Sequence, residues 1–484
     1  MKKLSEFINL LAPLQALNYT DVPISQVACQ PEEVRPGCLY GVIDEFLEYG
    51  HWIEGTRLLN ASLLKNVSAL LTEHPLPYAL PQLVVTDGRK ALARAAQFFY
   101  DRPDRALQII GVTGTNGKTT VTQLLDQWLT ACGERSATLG TLGLYQGTRQ
   151  QEETVYTTPL APTLFRLLQD LRGADVKVLA MEISSHALKL DRVFGLDVDV
   201  AVFTNLSRDH LDFHGSMEDY QAAKVSLFLG LKAAALAVVN GDDAVGREIA
   251  QCTTVPVLEY GFSPSAGLQV VQVDDSLQGT RITLRQGAQT VVIGTSLIGR
   301  FNVYNLLAAL GAGLALGMPL EQLVATSERL HGVPGRLERV LLPGERVGIV
   351  DYAHTPDALE KVLQTLRALK PGRLITVFGC GGNRDRGKRP LMGAVAANAS
   401  EVCVVTSDNP RREDPLAIIR DILEGMPRQG VIVEPDRHAA IRQAWALSRA
   451  GDVILLAGKG HEPYQIIGDQ KLPFSDVEEL RCLK

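Results

Sequence analysis

The sequence has no apolar run approaching the roughly 20 residues that a membrane-spanning helix needs, so no membrane span is expected. It has no basic excess either: 48 Lys and Arg stand against 54 Asp and Glu, a formal net charge of -6. Binders of the phosphate backbone usually carry the opposite balance, so nucleic acid is not expected as the main partner. A local basic pocket for a small anion stays compatible with it. The seven cysteines (Cys29, Cys38, Cys132, Cys252, Cys380, Cys403 and Cys482) are odd in number and show no C-x-x-C spacing. That argues against a disulfide scaffold or a structural zinc site and suits a reducing cytoplasm. Low-complexity tracts and short internal repeats are also missing. The opening residues lack the unbroken apolar stretch of a signal peptide, because Glu6, Asn9 and Gln15 interrupt it. Leu4, Phe7, Ile8 and Leu11 instead follow the spacing of a short amphipathic helix.

What is present is ordinary globular composition, 46% hydrophobic and 21% charged, over 484 residues. At roughly 100–200 residues per domain, three domains follow. The expected divisions are 1–103, 104–335 and 336–484. The first reads as a small α/β unit, with a strand-like run at 82–86 and a helical one at 88–100. The polar, proline-containing Asp101-Arg102-Pro103-Asp104 marks its end.

Beyond it a pattern recurs in which a short β-rich run stops and glycine or polar residues follow at once. It is seen at 107–112 before Thr113-Gly114, at 176–181 before Glu182, and at 198–203 before Thr204-Asn205. It returns at 347–350 before Asp351, 374–378 before Gly379, 402–405 before Thr406-Ser407-Asp408, and 453–456 before Ala457-Gly458. Helical stretches lie between. In 355–369, Thr355 suits the N-cap, Pro356 the first turn, and Leu359, Val362, Leu363 and Leu366 one buried face. Strands alternating with helices predict mostly parallel sheets, which bind ligands beyond the carboxyl ends of their strands. The expected fold is therefore α/β in three domains. A small N-terminal α/β domain precedes two doubly wound ones, a central P-loop-type domain with a mostly parallel sheet and a Rossmann-like C-terminal domain.

The strongest chemical signal is Gly111-Val112-Thr113-Gly114-Thr115-Asn116-Gly117-Lys118-Thr119-Thr120, set between a predicted strand and a predicted helix. Glycines let backbone N–H groups turn toward phosphate oxygens, and the helix N-terminus adds partial positive charge. Lys118 reaches the outer phosphates and Thr119 can ligate Mg²⁺. Val112 stands where the strict phosphate-loop pattern has its first glycine, and the loop alone does not separate a ligase from a kinase, GTPase or motor. Glu182 and His210, each following a strand-like run, supply a carboxylate and an imidazole for a metal beside the triphosphate. By spacing alone Lys224 reads as a solvated helix lysine.

Several motifs together resemble the Mur ligases, the ATP-dependent amide ligases of peptidoglycan synthesis. They are 114–120, Met181-Glu182-Ile183-Ser184-Ser185-His186, 204–212, 299–305, Gly335-Arg336 and 351–357, in consistent order. The resemblance implies ATP contacts at Gly114, Thr115, Asn116, Gly117, Lys118, Thr119, Thr120, Asn302, Arg336 and Asp351. It implies contacts to a UDP-N-acetylmuramoyl-dipeptide at Thr157, Thr158, Ser184 and Arg192. Lys118, His210 and Lys224 would be catalytic, and Thr119, Glu182, His210 and a carbamylated Lys224 would hold Mg²⁺. Asp408-Asn409-Pro410-Arg411, Arg389 in 387–390, and Gly458 and Glu462 in 458–462 resemble the branch that adds meso-diaminopimelate. That amino acid carries a second ammonium–carboxylate centre, which a guanidinium can grip bidentately. The resemblance thus predicts a cytoplasmic monomer that uses ATP and Mg²⁺ to join an amino acid to a nucleotide-linked peptide. A lysine- or ornithine-adding relative, or a nucleotide-binding regulator that has lost catalysis, are the alternatives. Two departures bear on them. Leu190 stands where the family usually carries Gln, and in the first domain only Pro36-Gly37 survives of the expected Asp-Ser-Arg and Pro-Gly elements, so no uridine contact is assigned.

Overall fold

The computed structural model describes residues 1–47, 51–147, 149–369, 371–427 and 430–483. By its internal contacts the chain forms two compact units. The first comprises Met1–Val270, Arg285–Thr290 and Tyr304–Thr326; the second comprises Val271–Leu284, Val291–Val303 and Ser327–Lys484.

The first unit is built mainly on two sheets, beside two short pairings, Lys2–Lys3 with Pro23–Ile24 and Glu45–Leu47 with His51–Ile53. The smaller is five-stranded, in the order Gln15–Leu17, Gln82–Val84, Val67–Thr72, Cys38–Gly41, Gln26–Ala28. Only the first pairing is antiparallel. Of the four residues its spacing names, the helix Leu4–Leu11 buries Leu4 and Phe7 and leaves Ile8 and Leu11 half-buried against the core, and the Phe7 ring meets Phe98 of the helix Gly88–Phe99 edge-on at 5.3 Å. The stretch at 101–104 is firmly anchored: Asp104 is buried and receives Arg102 Nη2 at 2.7 Å.

The larger sheet of this unit has Gln108–Thr113 near its centre, paired in parallel with Val178–Glu182 on one side and Val200–Phe203 on the other. Ser136–Gly140 lies outside Val178–Glu182; Leu236–Asn240 and then Val257–Gly261 lie outside Val200–Phe203, all in parallel. The chain therefore leaves Gln108–Thr113 first to one side and later to the other. A switch of that kind opens a crevice at the carboxyl end of the central strand, where the glycine loop sits. The helix Lys118–Ala131 packs its predicted face down: Val121, Leu124, Leu125, Trp128 and Leu129 are all buried.

The second unit is built on a six-stranded sheet in the order Glu338–Leu342, Arg346–Asp351, Val453–Ala457, Leu374–Phe378, Val402–Val405, Val431–Val433. All pairings but the first are parallel. Asp351, Gly379, Asp408 and Gly458 thus share one edge. The helix Pro356–Ala368 starts at Thr355, whose Oγ1 accepts the Ala358 N–H at 3.3 Å. Leu359, Val362, Leu363 and Leu366 are its buried face, each contributing about 1.5–3 kcal/mol relative to exposure.

Candidate active site

The phosphate loop owes its shape to two glycines. Gly114 and Gly117 have φ of +148° and +88°, and a Cβ would drive the first into Thr204 Oγ1 and the second into Asn305 Oδ1. The loop is latched from the neighbouring strand: Asn205 O accepts the Thr115 N–H at 2.8 Å, Asn205 Oδ1 accepts the Asn116 N–H at 3.1 Å, and Thr204 Oγ1 donates to Asn116 O at 2.6 Å. Gly117, the N-cap, offers no side chain to the first-turn N–H groups. Those donors and the helix dipole suit phosphate oxygens. Lys118 Nζ folds back to Gly114 O and Thr115 O, 2.9 Å from each.

Lys224, on the helix Met217–Leu229, overturns the reading from spacing. It is buried, only 1% exposed, and its Nζ donates to the same Gly114 carbonyl at 2.8 Å. It lies 4.5 Å from the Tyr220 ring centroid, and Tyr220 Oη meets Thr115 Oγ1 at 3.1 Å. Burial first, and then the charge of Lys118, push its ammonium well below the usual lysine range.

Glu182 closes Val178–Glu182 and is also buried. It accepts Thr119 Oγ1 at 2.9 Å, the Thr141 N–H at 2.9 Å and Thr141 Oγ1 at 3.3 Å. Magnesium prefers few protein donors and completes its octahedron with phosphates and water. A hydroxyl and a carboxylate joined at a helix N-terminus are a donor pair of that kind. Among the described residues no group of three or more His, Cys, Asp or Glu side chains makes a dedicated metal cage. His210 belongs to a group of three imidazoles with His186 and His214. Its ring centroid is 4.8 Å from that of His186, which stacks on Phe213, and His214 Nε2 meets Ser185 Oγ at 3.0 Å. Burial is the main cause that lowers all three, His186 to about 3 and His214 to about 4.

The residues expected at the nucleotide-linked peptide come together next to Glu182. Thr158 Oγ1 donates to Glu182 O at 2.9 Å and accepts the Ser184 N–H at 3.0 Å. Arg192 Nη1 donates to Thr158 O at 3.0 Å, with its guanidinium 4.2 Å from the Tyr156 ring centroid. Thr157 Oγ1 lies 3.1 Å from Thr141 Oγ1, which ties it to the same carboxylate. Leu190 ends the short helix Ser185–Lys189 and is buried, so it lends this site apolar packing where an amide is usual.

In the second unit, Asp351 accepts the Leu337 and Ala353 N–H groups, each at 2.8 Å. Burial raises its carboxyl in spite of them and of the nearby Arg336, whose guanidinium lies 5.0 Å from the Tyr352 ring centroid. Asn302 is buried, with Nδ2 donating to Ile298 O at 2.9 Å.

Along the same sheet edge stands a second cluster. Arg411 has φ of +51° and donates Nη1 to Gly382 O at 3.0 Å. Its backbone is pinned by the hairpin Tyr464–Ile467/Gln470–Pro473, with Arg411 N to Ile466 O at 3.0 Å and Gly468 N to Arg411 O at 2.7 Å. Asn409 Nδ2 donates to Glu462 Oε2 at 2.7 Å. Asp408 is 6% exposed and its Oδ1 has no hydrogen-bond partner among the described residues. Gly458, at φ +113°, leaves room for it, since a Cβ there would lie 2.8 Å from Asp408 Oδ2. Pro410 gives its carbonyl to the Glu413 N–H at 3.1 Å.

Arg389 lies elsewhere than its assignment expects. It is 0% exposed, and its guanidinium is taken up by Glu413 at 3.0 Å, Asp421 at 2.8 Å and Gly381 O at 3.4 Å. It knits the loop of the Arg411 motif to the helices Lys388–Ala399 and Pro415–Leu423. The sequence reasoning passed over Arg384. The Cβ position at Gly381 is 3.0 Å from Arg411 Nη1 and 3.5 Å from Arg384 Cγ, so the two arginines flank one glycine. The available signal was the run of basic residues after Gly381-Gly382. Tyr220 was also missed, although it stands one helical turn before Lys224.

The comparisons with known proteins agree with this arrangement. The model of the Mur ligase middle domain matches residues 112–313, and that of the Mur ligase glutamate ligase domain matches 335–460. A UDP-N-acetylmuramoyl-L-alanyl-D-glutamate–2,6-diaminopimelate ligase from Syntrophomonas wolfei is 43% identical over 484 residues, covering 98% of this chain and 97% of that one. The ligase of the same name from Solibacter usitatus is 44% identical over 475 residues, covering 97% and 95%. A solved structure of such a ligase superposes with a TM-score of 0.69 at 36% identity, over 95% of this chain and 94% of that one. MurF from Acinetobacter baumannii, at 17% identity and a TM-score of 0.65 over 95% and 96%, shares the fold. With two family models and near-full-length relatives in agreement with its glycine loop and strand-tip motifs, the chain belongs to the Mur ligase family.

Proposed function

We propose that the protein is an ATP-dependent ligase that joins meso-diaminopimelate to UDP-N-acetylmuramoyl-L-alanyl-D-glutamate in peptidoglycan synthesis. The observation that carries the reading is the second cluster. An open, buried carboxylate oxygen on Asp408 shares a sheet edge with the Arg411 guanidinium, which suits an ammonium–carboxylate centre.

A bare carboxylate acylates poorly because oxide is a poor leaving group. The D-glutamyl carboxylate attacks the γ-phosphorus of ATP and ADP leaves. The amine of the amino acid then attacks the acyl phosphate carbonyl, and phosphate leaves as the amine loses a proton; bound Mg²⁺ would supply charge neutralisation. The chain's task is positioning and electrostatic stabilisation. Loop N–H groups from Gly114 to Thr120 and the Lys118 ammonium hold the outer phosphates. Thr119, Glu182 and His210 would hold the metal, together with Lys224 once its amine has added to CO₂ and lost a proton. The buried, low-pKa amine of Lys224 supports that role, since a neutral amine is the nucleophile. Thr157, Thr158, Ser184 and Arg192 seat the nucleotide-linked peptide, and Asn302, Arg336 and Asp351 contact the nucleotide. Asp408, Asn409 and Glu462 meet an ammonium of the incoming amino acid, while Arg411 and Arg384 grip its distal carboxylate. Arg389 acts from behind by fixing Glu413 and Asp421.

The test is phosphate release from ATP that requires both the nucleotide-linked dipeptide and diaminopimelate. L-lysine, which lacks the distal carboxylate, should support little turnover; equal turnover with L-lysine would overturn the amino-acid assignment.

A further inference from the structure

Lys459 follows Gly458 in the loop after Val453–Ala457 and is 0% exposed. A lysine buried to that degree is retained only where acceptors replace its water. Its Nζ lies 3.2 Å from Asn409 Oδ1, 3.3 Å from Glu462 Oε2 and 3.9 Å from Asp408 Oδ1. These are the three side chains assigned above to the ammonium of the amino acid. Asn409 Nδ2 also donates to Glu462 Oε2 at 2.7 Å, and Asn409 Oδ1 accepts the Ile466 N–H at 2.9 Å. The ammonium is thus the hub of a closed cluster.

Two carboxylates held close together in a buried place repel and take up a proton unless a cation separates them. One lysine between two carboxylates leaves a single net negative charge, the complement of one further ammonium. The geometry leaves a place for it, because Asp408 Oδ1 is too far from Lys459 for a hydrogen bond and has no hydrogen-bond partner among the described residues. A second buried cation stands behind. Arg437 is spent on Asp476, at 2.8 and 2.6 Å, and on the Ser407 and Ala457 carbonyls at 3.4 and 3.2 Å. It anchors the two strand ends that bear Asp408 and Lys459, and Asp476 offsets its charge.

We propose that Lys459 is a positioning residue of the amino-acid site, whose buried ammonium holds Asp408, Asn409 and Glu462 in one array and sets that array to accept a single substrate ammonium. This rests on the reading of the cluster as the amino-acid site. Lys459 touches no reacting atom, so its loss acts on capture of the amino acid.

The experiment measures steady-state phosphate release by the full chain, with each of the three substrates varied in turn, for the unmodified enzyme, Lys459→Met, Glu462→Gln and the double variant. Lys459→Met is expected to raise KM for diaminopimelate roughly tenfold or more, with KM for ATP and for the nucleotide-linked peptide within about twofold. The double variant, which removes both members of the pair and leaves no extra buried charge, is expected to raise KM no further than the more damaging single change. It also keeps the test open if Lys459→Met does not fold. Unchanged KM for diaminopimelate, a parallel rise in all three KM values, or additive effects in the double variant would overturn the proposal. An unmodified enzyme without diaminopimelate-dependent turnover would instead remove the reading of the site, and this inference with it.

Discussion

The glycine loop at 114–120 and the cluster around Asp408 and Arg411 both occupy the carboxyl edge of a largely parallel sheet, yet they are built from different materials. The loop is made of main chain: two glycines at positive φ, latches from Thr204 and Asn205, and lysines anchored on carbonyls. The Asp408–Arg411 cluster is made of side chains held by other side chains, with Lys459 among acids and Arg389 between Glu413 and Asp421. Backbone cradles recognise what every triphosphate has in common. Side-chain lattices can be retuned one residue at a time, which is where specificity within a family of amino-acid ligases belongs.

The largest expected effect falls on the loop. Lys118→Ala should lower kcat about 10²–10³-fold with the fold intact, as for loss of one preorganised charge stabiliser. Phosphate release at the unmodified rate would break the comparison at its first term. Next comes Arg389→Ala, which leaves Glu413 and Asp421 without their buried partner. A stability loss of about 3 kcal/mol is expected in denaturant titration. A variant of normal stability with a raised KM for diaminopimelate would return Arg389 to the substrate.

A third experiment contrasts buried carboxylates. Asp408 has Lys459 nearby, whereas Asp126, on the helix after the phosphate loop, has the Ser136 hydroxyl at 2.6 Å. Burial raises the Asp126 carboxyl to about 6. A raised carboxyl favours the native state while protonated, and that contribution is lost as pH rises from about 4 through 6. Asp126→Asn should therefore stabilise the protein by roughly 3 kcal/mol at pH 8, and by clearly less at pH 5. Equal gains at both pH values would show that charge is not the cause. The smallest effect is on recognition alone: Arg411→Ala should raise KM for diaminopimelate roughly 10- to 100-fold and leave KM for ATP nearly unchanged. Equal changes in both would blur the two sites into one.

Much of the scaffold could be read from the chain. The runs at 374–378 and 402–405 are strands with those bounds, and the helix begun by Thr355 buries the four residues its spacing names. Local periodicity and capping decide such features, and both are written in consecutive residues. Motif order likewise led to the family. Burial of charge was not legible in the same way. By spacing Lys224 reads as a solvated residue and by resemblance Arg389 as a substrate contact, because the groups that receive them lie 110 and 24 residues away in sequence. Lys459, inside the stretch 458–462, is illegible for the same reason: its meaning depends on Asp408 and Asn409, which a different strand delivers.

The left-handed backbone of Arg411 carries a consequence for evolution. The arginine is aimed by a hairpin that begins more than fifty residues later and clasps its N–H and carbonyl. A one-residue insertion in that hairpin would swing the guanidinium while every letter of the motif stayed in place. Relatives that share the tetrapeptide but differ in hairpin length would be the natural place to look for altered amino-acid choice.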